Sequence, residues 1–210
     1  MFNKLFNPEN ALMITMAQVT DCIFLSLFWV LCSFPVFTVG AASAALYDAV
    51  YQGYRRGDKH SWSRFLKAFK SNLKPSILPV IVYLAVFCLA GWGLIQVWNA
   101  AVWGNISFGL FSAAAFLAML VLGILSVLFP MLSRFENSFA GLLRNTLLLS
   151  LANLPRTLAL GLLNAMSILL CVKFVFPLFF LPALASLLST WLLEPMFKPY
   201  MPKEIPEDAA

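Results

Sequence analysis

Arg134, Glu136 and Asn137 stand together in the stretch FPMLSRFENSFAGLLRN, with Arg144 further along it, in a chain that is otherwise strongly apolar. A guanidinium holds carboxylate and phosphate through paired hydrogen bonds, so this group could clamp a lipid headgroup or dock a partner subunit. The plainer reading is a helix-end ion pair that pins a connector. Residues two apart on a helix do not face each other, and Glu136 can instead cap the segment that follows. Three further ionisable residues, Asp21, Asp48 and Lys173, lie inside apolar runs. A charge in hydrocarbon is costly enough to be a functional hypothesis, and a proton-coupled pathway needs such groups. Against that, both carboxylates fall about two turns from the edge of a run, where water or hydrogen bonds to Gln18, Thr20 or Tyr51 can satisfy them. Lys173 can carry its ammonium to the outer interface on an apolar stem, although a substrate contact remains open for it.

Other chemistries find little support. There is no GxxxxGK[ST] loop for ATP, and the single histidine, His60, in a basic loop, excludes HExxH metal sites and His-based triads. Cys22, Cys32, Cys88 and Cys171 sit in apolar runs without CxxC spacing, which argues against disulfide frameworks and zinc and for small hydrophobes. The expectation is a protein with no cofactor, no metal and no catalytic residues.

The elements that must position these groups are membrane helices. Hydrophobic residues make up 61% of the 210 positions and charged residues 11%, against roughly 45–50% and about 25% in soluble domains. Several runs approach the roughly 20 apolar residues that cross about 30 Å of hydrocarbon. The reading is an all-α, polytopic transmembrane bundle forming a single integral membrane domain over 1–210. Its crossings are Ala11 to Phe34, broken by Pro35; Phe37 to Tyr54; Pro75 to Trp98; Phe108 to Met131; Thr157 to Val172; and Phe176 to Phe197, bent at Pro182. The last two could instead be one crossing and an interfacial helix, giving five. The first run is too long, and too interrupted by Glu9 and Asp21, for a cleaved signal peptide, so the first helix is expected to be retained.

Charge orients the bundle. With a cytoplasmic N-terminus and six alternating crossings, every Lys and Arg but Lys173 falls on the cytoplasmic side, as the positive-inside bias predicts. The C-terminus is then cytoplasmic too. The net charge of +5 reports this orientation and contact with anionic lipids, not nucleic acid.

Two connectors share a pattern. In 55–74, Trp62, Phe65, Leu66, Phe69 and Leu73 recur at helical spacing, with Arg64, Lys67, Lys70 and Lys74 largely opposite and Ser61 as N-cap. This predicts an amphipathic helix lying in the inner headgroup region. In 132–156, Phe135, Phe139, Leu142, Leu143 and Thr146 repeat the spacing beside Arg134 and Arg144. Asn72 and Asn153 precede prolines that would start new helices, so a connector-plus-hairpin duplication and chance similarity both stand. The small residues of GAASAA predict close helix packing, and Trp92, Trp98, Trp103 and Trp191 predict interface anchors.

The segments LFNPENALM, FWVLCSFPVFTVGAASAALY, FLKAFKSNLKPS and RFENSFAGLLRNTLLLSLANLP, in that order along nearly the whole chain, resemble the YesL-like family of bacterial membrane proteins. The resemblance implies a small polytopic protein of the cytoplasmic membrane with an accessory role in carbohydrate uptake or envelope metabolism. Its partners would then be ABC importer permease and ATPase subunits. The family supplies no established catalytic residues. The rival expectations are a stand-alone transporter or lipid flippase, acting as a homo-oligomer around a cavity lined by Asp21, Asp48 or Lys173, and an envelope-polymer assembly factor that binds lipid-linked intermediates at Arg134.

Overall fold

The computed structural model describes residues 11–55, 61–104, 107–135 and 138–200, apart from the side chains of 11–19, 54 and 55. The described chain is helical with no strand: α1 (Ala11–Ser33), α2 (Val39–Val50), α3 (Ser61–Val102), α4 (Phe108–Arg134), α5 (Phe139–Ala152), α6 (Leu154–Lys173) and α7 (Leu181–Phe197). Among the described residues, α3, α4 and α6 are long and apolar enough to cross a membrane. Large apolar side chains such as Leu31, Leu89, Trp92, Leu117 and Leu169 point outward. Such a surface suits lipid and is far more apolar than a soluble monomer tolerates.

The bundle is built around its shortest α-helix. α2 contacts α1, α3, α4 and α7. Ala41, Ala42, Ala44, Ala45 and Ala49 are fully buried in it, because side chains this small let four neighbours approach the backbone closely. Its 12 α-helical residues rise about 18 Å, short of a hydrocarbon core. A 3-10 turn, Val36–Thr38, and a π-helical turn, Tyr51–Arg55, extend it at either end. At the first of these the Thr38 hydroxyl lies within hydrogen-bond reach of the carbonyls of Cys32 and Pro35. That supplies a donor where Pro35 ends α1 and leaves its carbonyls open.

The second crossing and the first connector differ from the sequence reading in form. Connector and third crossing are one helix of 42 residues with Pro75 and Pro79 in its interior, so Pro75 starts nothing. Ser61 opens this helix and does not precede it. At 1.5 Å per residue it is about 63 Å long, twice the hydrocarbon thickness, so half of it must lie outside. Ser71, Asn72 and Ser76 each donate to a backbone carbonyl three or four residues back. These bonds go to the carbonyls of Ala68 and Leu73, not to those of Ser71 and Pro75, which Pro75 and Pro79 deprive of a backbone donor. The connector's apolar stripe also meets protein: Phe65 is fully buried and, with Leu66 and Phe69, packs against residues of α1 and α2. Trp62, placed on the same stripe by spacing, is exposed.

The second connector behaves otherwise. Ser138 caps α5 by accepting from the Gly141 amide, and α5 buries Leu142, Thr146 and Leu149. The chain then breaks at Asn153, and Pro155 sits in the first turn of α6, as its sequence predicts. Asn72 and Asn153 both donate to the carbonyl four residues back, yet one lies inside a continuous helix and the other at a break. Pro182 likewise occupies the first turn of α7 after a 3-10 turn, Phe176–Phe179, and bends no longer helix.

α4 and α6 form the tightest pair. A Cβ on Gly123 would run into the Thr157 carbonyl, and one on Gly161 into the Met119 carbonyl. Just beyond, Asn164 donates to Ser126 Oγ at 2.9 Å across the same interface. Small residues plus one interhelical hydrogen bond are the usual cement of helices in lipid, where no hydrophobic gain drives association. α7 is tied to α1 by a hydrogen bond to backbone: buried Ser26 Oγ accepts from the Ala183 amide at 3.1 Å, satisfying an N-terminal donor of α7.

Candidate functional site at the basic end of the bundle

Chain direction gathers charge at one end. α2 and α4 finish there, and α3 and α6 begin there. Arg64, Lys67, Lys70 and Lys74 therefore lie at the same end as Arg134 and Arg156. Lys173 ends α6, about 30 Å away along its axis, exposed among Val172, Phe174 and Val175.

The last turns of α2 carry alternating polar side chains, Tyr47, Asp48 and Tyr51, that face two ways. On one side Tyr47 donates its hydroxyl to Glu194 Oε1 at 2.8 Å, and Arg134 Nη2 donates to the same oxygen at 2.8 Å. The Arg134 and Glu194 side chains are only 11% and 12% exposed. The guanidinium carbon lies 3.5 Å from the Tyr51 ring centroid and 5.8 Å from that of Tyr47. Stacking on an aromatic face is a contact that a planar delocalised cation makes and a lysine makes less well. Arg134 Nε is buried with no acceptor among the described residues. This cluster joins α2, α4 and α7 and is a structural clamp. The observed partner of Arg134 is Glu194, 60 positions along the chain and across the bundle. Glu136 and Asn137 lie outside the described residues.

On the other side Asp48 Oδ2 accepts from Arg64 Nε at 3.1 Å. Asp48 is thus no isolated intramembrane carboxylate; it pairs with Arg64, the first basic residue of α3. The side chains are 40% and 17% exposed for Arg64 and Asp48, so the pair contributes less than about 1 kcal/mol. Its effect is geometric, fixing one wall of a polar groove of about 500 Å³. Asp48 from α2, Ser133 from α4, and Ser63, Arg64, Lys67, Ser71 and Asn72 from α3 line it. The α3 residues recur every three to four positions, which places them on one helix face. The C-terminal dipoles of α2 and α4 leave negative partial charge here, worth roughly 0.3–1 kcal/mol against an anion. Arg64 and Arg134 stand at those two ends and offset it.

Of the residues singled out from sequence, Asp48, Arg64 and Lys67 come together in the groove. Lys70 and Lys74 are exposed on the same helix outside its lining, and Arg144 is exposed on α5. Asp21 is exposed on α1, and neither it nor Lys173 joins Asp48. Among the described residues no group of three His, Cys, Asp or Glu could hold a metal. Glu194 and Tyr47 escaped sequence reasoning, and Tyr51 entered it only as a partner for a carboxylate, not as the ring under Arg134. Glu194 carried a usable signal, since it is an ionisable residue inside the last apolar run, the same criterion that picked out Asp21 and Asp48.

Residues 22–94 match the model of a family described as a protein of unknown function, DUF624. The matched stretch runs from α1 through α2 into α3 and includes Asp48, Arg64, Lys67, Lys70 and Lys74, stopping short of Arg134 and Glu194. Neither the curated proteins nor the solved structures contain a match to the chain.

Proposed function

We propose that this chain is a non-catalytic, multi-pass membrane protein that uses the basic face of α3 to meet anionic lipid and a partner complex at the cytoplasmic surface. The observation that carries the reading is the extension of α3 beyond any bilayer thickness, with its apolar side seated on α1 and α2 and Lys67, Lys70 and Lys74 left exposed. A helix held rigidly in that way presents charge at a fixed place, as a docking element must. The nature of the partner, a carbohydrate ABC importer, rests on the resemblance to the YesL-like family and not on geometry. Of the three residues that a stand-alone proton-coupled transporter would use, only Asp48 lines the polar groove, and the groove lies where α2 and α4 end and not at mid-helix, which favours the docking reading.

Replacing Lys67, Lys70 and Lys74 together with Gln removes three exposed charges and no buried contact. The expected result, in a mild-detergent purification of the tagged protein at native expression, is loss of most of the permease and ATPase subunits recovered with the unaltered chain. The folded yield should be unchanged. Equal recovery of the partners with the triple variant rejects α3 as the docking surface, and purification of the unaltered chain alone rejects the importer partnership.

A further inference from the structure

The groove holds more than positive charge. Lys67 contributes an exposed ammonium and Ser63 a hydroxyl, both donors. Ser71 and Ser133 spend their hydroxyl protons on the carbonyls of Ala68 and Pro130, and Asn72 directs its amide N–H to Ala68. These three leave two hydroxyl oxygens and an amide carbonyl as acceptors, with the second amide N–H of Asn72 as a donor beside them. Asp48, held by Arg64, adds a carboxylate at the same wall. Donors at one part of a cavity and acceptors beside them match a group that is anionic at one point and rich in hydroxyls next to it. A bare phosphate would leave the acceptors unmatched, and a choline headgroup would bring a cation with no hydroxyl.

We infer that the groove between α2, α3 and α4 binds a polyol phosphate, with the phosphate at Lys67 and Ser63 and the hydroxyls at Ser71, Asn72, Ser133 and Asp48. A volume of about 500 Å³ lies within the range of small-ligand pockets and exceeds what a lone anion fills. The groove opens where α2 and α4 end and where α3 carries its basic residues, which is the depth of a headgroup. The glycerol phosphate of phosphatidylglycerol and a soluble polyol phosphate share this chemistry. The inference needs the membrane location but no importer partner.

The full-length protein in nonionic detergent, titrated with dioctanoyl phosphatidylglycerol and read by native mass spectrometry, tests it. One lipid should bind about tenfold more tightly than dioctanoyl phosphatidylcholine. Lys67→Gln should erase the difference, while Lys70→Gln, exposed on the same helix outside the groove, should change it less than about twofold. Displacement by millimolar glycerol 3-phosphate identifies the headgroup alone as sufficient and admits a soluble ligand; persistence of the bound lipid assigns the source to the bilayer. Binding of phosphatidylglycerol no tighter than phosphatidylcholine overturns the site. An equal loss from Lys70→Gln reduces it to diffuse attraction, and equal affinity for dioctanoyl phosphatidic acid overturns the polyol assignment.

Discussion

Arg134→Ala is expected to lower stability by about 3–5 kcal/mol, the largest single effect in the molecule, because it leaves the Glu194 carboxyl mostly buried and without its cation. The same change removes the cation stacked 3.5 Å from Tyr51 and uncouples α4 from α7. For a chain of this size that loss corresponds to a melting-temperature decrease on the order of 10 °C, read by thermal unfolding in a fixed detergent. Arg134→Lys should recover only part of it, since an ammonium neither stacks nor donates in a planar fork. Replacing Arg134 with Met and Glu194 with Leu together should be far milder than Arg134→Ala, because two desolvated charges disappear at once. Equal melting of Arg134→Ala and the unaltered protein would show that the clamp adds nothing.

The second large effect belongs to the α4–α6 contact. Gly161→Ala puts a methyl group where the Met119 carbonyl and the Gly123 amide already lie. Backbone cannot step aside as a long side chain can, so the two helices must separate. Overpacking of this kind costs about 1–3 kcal/mol, and here separation also stretches the 2.9 Å bond from Asn164 to Ser126. Gly93→Ala, with open space around its position on α3, is the matched control and should be neutral or slightly stabilising. The pair is compared by the same thermal unfolding, and equal melting of the two variants would remove the close packing from the account.

How much of this was legible in the sequence follows from the range of each signal. α1 and α4 were placed to within three residues, because Pro35 and the charge at Arg134 end apolar runs locally. The basic side of α3 was equally visible, but the pairing of Asp48 with Arg64 was not, since the sequence suggested only Thr20, Gln18 or Tyr51 beside that carboxylate. Pro75 misled: proline after a basic segment reads as a helix start, whereas here the helix runs through Pro75 and Pro79 without a break. The destination of the Phe65 stripe was also beyond periodicity, which gives a face and not its neighbour. Glu194 meets Arg134 across 60 positions of chain, and Tyr47 meets Glu194 across 147. Pairings at that distance are fixed by how α2 sits among α4 and α7, through contacts of small residues whose spacing alone specifies no partner.

Both the proposed docking face and the polyol phosphate groove depend on the basic end of the bundle facing the cytoplasm. The direct measurement is labelling of single cysteines, introduced after Cys22, Cys32, Cys88 and Cys171 are replaced by Ala, with a membrane-impermeant maleimide. Lys70→Cys and Trp103→Cys are the two positions, both exposed and at opposite ends of α3 and the turn that follows it. The account predicts that Trp103→Cys labels in intact bacterial cells and that Lys70→Cys labels only after the membrane is opened. Labelling of Lys70→Cys in intact cells, with Trp103→Cys protected, would contradict it.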